Sequence, residues 1–525
     1  QRSLFLIMSS KSGRQLLYTP VIKGTIILTI AGLLCRILGF YYRIFLNSHI
    51  GSYGMGMLQL VLPLCGIAFS VCMCGFNSAI SKYTAQTHGN INVLLGGLLM
   101  SFPLSCIFSA VCATFSYEIA DKLMFNADCA PLIQIIAIGI PLSAIHSCIC
   151  GYYYGCKKTF IPAISQIIEQ LIRIFSVIIY YHLISGNLET LTVTDALYGN
   201  IAGEVCADIF CIGCVYVNNK QNNKNNKNNK IIRNNNSCSA RKTSYIRVIA
   251  LYALPLNLNS LLLHLFESAE AILIPAQLII YGLSKENAVS TYGIISGMTL
   301  PLLLFPSAIT NSMSVMLLPK VSEDNSVQRS SSVITTLHQS VNICMHLGIM
   351  SCVLFILYIG RLGAILFHEP SVYNYTIMLA CICPFLYVKT SLASILNGLN
   401  ITARTCAYSI TGLAIRIASL ILLVPGIGIS GYIYGLIISN ILVCALHYIK
   451  LYKMYHFKPD IINNIITPLS LSIIAVTSSN IALRLITSLL SCVTALTLNS
   501  IFSLCANILL SSLIYIIIYS KVDFT

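Results

Sequence analysis

Charged residues are scarce in this sequence. Only 9% of its 525 residues are Asp, Glu, Lys or Arg, whereas 56% are hydrophobic and the mean hydropathy is +0.81. A soluble domain normally carries about 25% charged residues, so this composition excludes a soluble fold and predicts an all-α polytopic membrane protein. The net charge of +15 is attributed to membrane topology, and no nucleic-acid partner is expected.

Motifs of catalytic and cofactor-binding sites are also lacking. The chain has no nucleophile elbow, phosphate loop or dinucleotide fingerprint, and the HxxE pair of His264 and Glu267 lacks the order and third ligand of a zinc hydrolase. Most of the 22 cysteines lie in apolar runs, where Cys packs as a small apolar residue. We therefore expect no enzyme activity, no metal and no cofactor. An integral-membrane glycosyltransferase is disfavoured because the outer loops are short.

Apolar runs recur from Val21 to Tyr519. A hydrocarbon core about 30 Å thick needs about 20 helical residues. Fourteen candidate spans meet this length, at 24–46, 57–80, 92–115, 131–153, 161–183, 195–217, 246–281, 289–318, 335–359, 372–396, 402–424, 429–449, 461–481 and 491–519. The first is too long, and too charged at its centre, for a cleavable signal peptide.

Basic residues define an orientation. With the N-terminus inside, the predicted outer loops contain only four of the 31 Lys and Arg residues, namely Lys122, Lys285, Arg361 and Arg484. Cytoplasmic loops of membrane proteins carry an excess of Lys and Arg, so both termini are predicted to be cytoplasmic. An Asn/Lys tract follows span 6, and the chain divides into an N-terminal lobe at 1–216, a disordered linker at 217–243, a C-terminal lobe at 244–455 and two extra spans at 456–525.

The two lobes are related in sequence. Matching residues at one offset of 243 positions are Pro141 with Pro384, Gly155 with Gly398, and Arg173 with Arg416. The dipeptide Tyr198-Gly199 recurs as Tyr434-Gly435. Because each copy has six spans, both enter from the same side of the membrane, as parallel repeats do. Two pseudo-symmetric six-helix lobes around a central cavity are therefore predicted.

Span 1 carries two arginines in an apolar stretch. Spacings of three and four residues place on one helical stripe Thr25, Thr29, Gly32, Arg36, Gly39 and Arg43. Burying a guanidinium in hydrocarbon costs at least about 2.5–3.5 kcal/mol. The stripe is therefore expected to face protein or a wet cavity, and Arg36 and Arg43 are candidate cavity residues.

Span 5 contains Glu169 and Arg173 in the order that favours an intrahelical ion pair. Such a pair is either a means of tolerating burial or part of a substrate cavity. The repeat has Gly412 in place of Glu169, so Arg416 lacks that neutraliser and is a candidate contact for an anionic substrate.

Span 7 has a polar stripe that includes Asn257, Ser260, His264 and Glu267, with Glu270 beside it. Polar residues of this kind serve either helix packing or a functional cavity, and the pairing of two carboxylates with a histidine favours the cavity. Asp208 and Lys389 lie near predicted span ends, where snorkelling competes with function. Glu204 lies four residues before Asp208, on the same helical face, and serves either structural pairing or function.

Several of these segments resemble a known family. The stretch from Lys23 to Leu64, with its Arg36-Ile-Leu-Gly39-Phe motif, and the segment from Phe76 to Gln86 resemble the stage V sporulation protein B group of polysaccharide exporters. This group belongs to the multidrug/oligosaccharidyl-lipid/polysaccharide (MOP) flippase superfamily, which includes the lipid II flippase. Where the flippase branch has an Arg-Asp pair after its LGF, this chain has Tyr42 and Arg43.

The resemblance implies alternating access in a bacterial plasma membrane. Its cargo would be a lipid-linked anionic oligosaccharide, a peptidoglycan or polysaccharide precursor such as that for the spore cortex, moved from the cytoplasmic to the outer leaflet. The residues leave two ways to drive this movement: the inside-negative membrane potential acting on the anion, or coupling to H⁺ or Na⁺ through Glu267 or Glu270. Two alternatives stay open: a cation-coupled multidrug exporter of the same superfamily, and a non-transporting scaffold of cell-wall assembly.

Overall fold

The computed structural model describes residues 20–87, 89–184, 191–228, 242–457, 460–489 and 501–522. Within these ranges every regular element is a helix, which confirms the predicted all-α class. The helices form two compact units. The first unit comprises residues up to Ile50 and Met57–Ile272, and the second comprises Gly51–Gly56 and the residues from Leu273 onward.

The first unit is built mainly from seven helices. They are α1 (Pro20–Cys72), α2 (Cys74–Gln86), α3 (Ile91–Thr114), α4 (Ala130–Gly155), α5 (Phe160–Ile184), α6 (Val193–Asn228) and most of α7 (Lys242–Tyr281). Three short helical turns, Ser116–Glu118, Ile119–Leu123 and Ala127–Cys129, join α3 to α4. A buried cluster that includes Ile80, Leu94 and Tyr153 packs α2, α3 and α4 together with α6 and α7.

The second unit continues from the end of α7. Its helices are α8 (Lys285–Gly293), α9 (Ser307–Ser326), α10 (Ser330–Leu354), α11 (Ser371–Ala380), α12 (Cys383–Gly398), α13 (Thr402–Ile427), α14 (Ile429–Tyr455), α15 (Thr467–Leu489) and α16 (Ile501–Val522). Shorter pieces extend three of them: Ile294–Thr299 and Leu300–Leu304 follow α8, Phe355–Ile359 and Gly360–Leu366 follow α10, and Ile462–Ile466 precedes α15. The two extra C-terminal helices pack on α10, where His346 Nδ1 lies 2.7 Å from the Tyr515 hydroxyl.

Twelve described helices are long and apolar enough to cross a membrane, or thirteen if the pair α11 and α12, bent by 56°, is one span. The sequence predicted fourteen. The difference lies in the stretch Ile26–Cys72, which counts once although it covers the first two predicted spans. That stretch is interrupted at Gly51, whose φ of 68° is a conformation that glycine adopts without strain.

The segment between the predicted lobes differs in part from expectation. Helix α6 continues to Asn228, so residues 217–228 are helical and not irregular; residues 229–241 lie outside the described residues. The first unit also extends to Ile272, because α7 packs on α1 and α2. There Asn257 Oδ1 accepts a 2.6 Å hydrogen bond from the Gly75 amide, and its Nδ2 donates to Val71 O at 3.0 Å.

The internal repeat is visible in the helix contacts of each unit separately. In the first unit, a Cβ on Gly199 would meet the Val177 side chain and lie 3.1 Å from Arg173 O. In the second unit, a Cβ on Gly435 would lie 2.6 Å from Ser419 Cβ and 3.9 Å from Arg416 Cα. Helices α5 and α6 therefore pack closely at Gly199, and α13 and α14 pack closely at Gly435, its equivalent in the second unit.

Candidate functional site

Arg36 and Arg43 lie on α1 within the first unit. Arg36 is exposed, and it forms no ion pair with any side chain that the structure describes, while Arg43 is half-buried. Gly39, between them on the stripe, is the point where α1 approaches α5, since a Cβ there would lie 3.4 Å from Gln170 Nε2. The side chain of Thr25, the first member of the stripe, lies outside the described side chains.

The predicted pairing of Glu169 and Arg173 is present on α5. Arg173 Nη2 donates to Glu169 Oε1, and Nη1 donates to Gln170 Oε1 at 3.1 Å. Both members of the ion pair are partly accessible, with 19% and 25% of their side chains exposed. The pair therefore neutralises itself and still borders open space.

That space is a cavity of about 340 Å³ inside the first unit. Its walls come from α1, α4, α5 and α6, and they are apolar apart from a few polar groups: Ser143, Glu169, Arg173, Asn200 and Glu204. The volume falls within the range of small-ligand pockets. The cavity's charged lining consists of one guanidinium and two carboxylates, of which Glu169 is already paired with Arg173.

His146 on α4 was not among the residues predicted from the sequence. It contacts Glu204 on α6, which lines the cavity, and Ser165 on α5. Its Nδ1 lies 3.4 Å from Glu204 Oε1, and its Nε2 lies 3.0 Å from Ser165 Oγ. His146, Glu169 and Glu204 bring three possible ligand atoms within 4.8 Å of one another, and so do His146, Cys150 and Cys211. Asp208, expected near a span end, is only 4% exposed, and its carboxylate accepts no hydrogen bond from the described residues.

The polar stripe of α7 serves mainly helix packing in its first half. Asn257 binds the backbone where α1 meets α2, and Ser260 Oγ lies 2.9 Å from Ser70 Oγ. Further along, His264 Nδ1 lies 2.9 Å from Glu267 Oε2, with the Glu267 side chain 53% exposed, whereas Glu270 is buried. The structure therefore separates the three predicted residues into an accessible pair and a buried carboxylate.

The second unit holds Arg416 on α13 and, on α12, Lys389. Both side chains are half-buried. Lys389 does not snorkel, because its Nζ donates a 2.7 Å hydrogen bond to Asn440 Oδ1 on α14. His146 and Lys389 occupy equivalent positions, because the repeat offset of 243 aligns them. A basic side chain at the same position of both repeats is the sequence feature by which the two interhelical contacts could have been found.

Comparisons with known proteins agree with this architecture. Stage V sporulation protein B of Bacillus subtilis is 25% identical over 435 residues, covering 81% of this chain and 82% of that protein. Lipid II flippase MurJ of Bacillus subtilis is 22% identical over 170 residues, 30% of this chain and 31% of that protein.

Solved structures share the fold. An inward closed lipid II flippase MurJ superposes with a TM-score of 0.64 at 13% identity, covering 94% of this chain and 98% of the other. A MOP superfamily transporter from Pyrococcus furiosus, reported to have a binding pocket of reversed polarity, superposes with a TM-score of 0.57 at 12% identity, covering 83% and 96%. Residues 21–323 match the family described as polysaccharide biosynthesis protein. With more than half of its length in that match, this multi-pass membrane protein belongs to the polysaccharide biosynthesis protein family.

Proposed function

We propose that this protein moves a lipid-linked anionic oligosaccharide, a peptidoglycan or polysaccharide precursor, from the cytoplasmic to the outer leaflet by alternating access. The observation that carries the proposal is Arg36, an exposed guanidinium in the middle of a membrane helix that no described carboxylate neutralises. Such a group is costly against lipid, and its planar donors fit phosphate oxygens. The relatives' names, a sporulation protein and a lipid II flippase, support cargo of this class.

The direction of movement follows from charge. The distribution of Lys and Arg supports cytoplasmic N- and C-termini in a bacterial plasma membrane. An inside-negative potential favours outward movement of an anion by about 2.3 kcal/mol per charge per 100 mV. A diphosphate-linked cargo of charge about −2 would gain roughly 4–5 kcal/mol if its charge crossed the full field at 100 mV.

Flipping of a polyprenyl diphosphate-linked oligosaccharide by the purified protein in vesicles tests the proposal. Outward movement at an imposed inside-negative potential, slowed about 10–100-fold in Arg36→Gln, would support it. Binding of cargo without movement, under any potential or ion gradient, would instead support a non-transporting scaffold. The cargo itself can be identified from the lipid-linked intermediate that accumulates on the cytoplasmic leaflet when the protein is depleted.

A second candidate is cation-coupled export of drugs or organic cations. It is favoured by Glu204, a carboxylate that lines the 340 Å³ cavity of the first unit and forms no ion pair with a described lysine or arginine, with the buried Asp208 one helical turn further along α6. The same carboxylates would bind H⁺ or Na⁺ if ion coupling drives a lipid flippase. Glu204→Gln distinguishes these roles: it would abolish binding of a cationic cargo in the drug exporter, but in the flippase it would remove only the ion dependence of transport.

A further inference from the structure

Two cysteines and a histidine converge inside the first unit. His146 and Cys150 lie one turn apart on α4 and share a face of that helix, and Cys211 approaches them from α6. The ligand atoms of the three side chains lie within 4.8 Å of one another, and all three residues are buried. One imidazole nitrogen and two thiol sulfurs are the donors found in structural zinc sites. The sequence alone did not predict this group, because its members come together only when α4 packs on α6.

Packing alone would account for a buried cysteine, because a thiol fills space as a small apolar group does. Cys211 does belong to the apolar cluster of the first unit. Cys150 has polar neighbours, since its Sγ lies 3.9 Å from Ser165 Oγ, and the same hydroxyl lies 3.0 Å from His146 Nε2. Burying an imidazole and a hydroxyl costs free energy unless they find partners. Their convergence on the thiols therefore indicates more than apolar packing.

The other nitrogen of the His146 ring faces a carboxylate. Its Nδ1 lies 3.4 Å from Glu204 Oε1. An ionised carboxylate only accepts hydrogen bonds, so this contact favours the tautomer with the proton on Nδ1 and the lone pair of Nε2 on the side of Ser165. Metal-binding histidines commonly donate their second N–H to a carboxylate in this way. The imidazole therefore has the orientation and the tautomer that a metal ligand needs.

A second possible ligand set shares the same histidine. Carboxylate oxygens of Glu169 and Glu204 also lie within 4.8 Å of a His146 ring nitrogen. Glu169, however, already accepts a hydrogen bond from the Arg173 guanidinium, so a metal ion bound there would compete with that positive charge. The two thiols require no ion pair to be broken. They are the more suitable ligands, with Glu204 acting through the ring.

We propose that His146, Cys150 and Cys211 form a Zn²⁺ site that fastens α4 to α6. Binding forms two Zn–S bonds and one Zn–N bond, and the two thiol protons are released to solvent. Two thiolates, a neutral imidazole and Zn²⁺ carry no net charge together, which limits the cost of burying the ion. Tetrahedral coordination places the ligand atoms about 3.4–3.8 Å apart, so small side-chain rotations are enough to close the site. The proposal does not depend on which cargo the protein carries.

The internal repeat identifies a variant that the fold should accept. Offsets of 243 and 236 align Cys150 with Ala393 and Cys211 with His447, so the ligand set is specific to the first unit. Because the second unit already has alanine at the position of Cys150, Cys150→Ala should fold. Cys148→Ala removes another buried thiol of α4, one outside the ligand set, and is the matched control.

Binding of Zn²⁺ to the full-length protein in detergent, under reducing conditions and in competition with a chromophoric chelator, tests the proposal. Wild type should bind one Zn²⁺ per chain. Glu204→Gln should lower the affinity about 10–100-fold, as loss of a carboxylate behind a ligating histidine does. Cys150→Ala removes a ligand itself and should lower the affinity by about 100-fold or more. Cys148→Ala should bind as wild type does.

Cobalt provides a second measurement that needs no variant. Co²⁺ bound to wild type should show a thiolate-to-cobalt charge-transfer band in the near ultraviolet, and bound Co²⁺ without this band would overturn the site. Equal Zn²⁺ affinity of wild type and Cys150→Ala, or less than one Zn²⁺ per wild-type chain, would also overturn it. Affinity lost in Glu169→Gln but kept in Cys150→Ala would place the ion among the carboxylates and contradict the proposal.

Discussion

The Glu204 carboxylate lies 3.4 Å from Nδ1 of the His146 ring, whose other nitrogen lies 3.0 Å from Ser165 Oγ. One side chain on α4 is therefore held at both ends, by α6 and by α5. Glu204 also lines the cavity of the first unit, so the contact combines a structural role with control of the Glu204 charge there. These two contributions can be separated by mutation.

Removing either partner should destabilise the first unit. His146→Ala or Glu204→Ala leaves a buried polar group without its partner, which costs about 1–3 kcal/mol. The double variant should cost less than the sum of the single ones, by about 0.5–3 kcal/mol. Denaturation of the detergent-solubilised protein, followed by circular dichroism because the chain has no Trp, measures this coupling. Strict additivity would show that the contact contributes nothing.

A methyl group at Gly435 should destabilise the protein, and a second substitution at Ser419 should restore the stability. A Cβ there would lie 2.6 Å from Ser419 Cβ, so Gly435→Ala should lower the free energy of unfolding by about 1–3 kcal/mol. Ser419→Gly in the same protein removes the obstructing atoms and should restore most of the loss. Gly426→Ala, on the same helix as Ser419, is the control: a Cβ added there would meet nothing within 4 Å, so the change should be neutral or slightly stabilising. A failure of rescue would mean that the helix backbones themselves determine the spacing.

Asn257 should be more sensitive to substitution than the polar residue next to it on the stripe. Its amide satisfies both Gly75 N and Val71 O across the junction between α1 and α2. Asn257→Ala leaves two backbone groups without partners. We expect a loss of about 2–4 kcal/mol in the free energy of unfolding.

Ser260→Ala serves as the comparison for Asn257, because it removes only a hydroxyl contact with Ser70. Its loss should stay below about 1.5 kcal/mol. Equal effects of Ser260→Ala and Asn257→Ala would show that the amide does not stabilise the junction.

Sequence patterns were enough for the helical fold and for the repeat, since both depend on local composition and on residue spacing. The predicted spans agree with the described helices, except that the kink at Gly51 does not fully separate the first two of them. The Glu169–Arg173 pair was predicted because its partners lie one helical turn apart. His146 and Lys389 were not predicted as partners of Glu204 and Asn440, since those contacts join different helices and depend on how the helices pack.

Asp460 gives the protein a local dependence on pH outside the membrane spans. The Asn463 amide and side chain donate to its carboxylate, and these hydrogen bonds lower the pKa of Asp460 below its usual value. A carboxyl with a lowered pKa stabilises the folded state above its unfolded pKa, about 3.9, and that contribution is lost as the pH falls through the folded value. Protection of the Asn463 amide from hydrogen exchange, corrected for intrinsic rates, should fall in that acid range. Asp460→Asn should show no such pH dependence, and a wild-type protection that is flat through this range would contradict the role.

Transport should depend on guanidinium geometry in α1 and not only on positive charge. Arg36→Gln or Arg43→Gln should lower the rate of flipping about 10–100-fold, as expected for loss of a charge-assisted contact with phosphate. Arg36→Lys should be intermediate, because an ammonium keeps the charge but loses the paired planar donors.

Arg404→Gln, at an exposed position in the first turn of α13, is the charge-matched control and should flip at the wild-type rate. Vesicle assays at inside-negative and zero potential measure these rates. If Arg36→Lys were fully active, a single positive charge would be sufficient, and if Arg36→Gln were fully active, the cargo anion would have to be bound elsewhere in the protein.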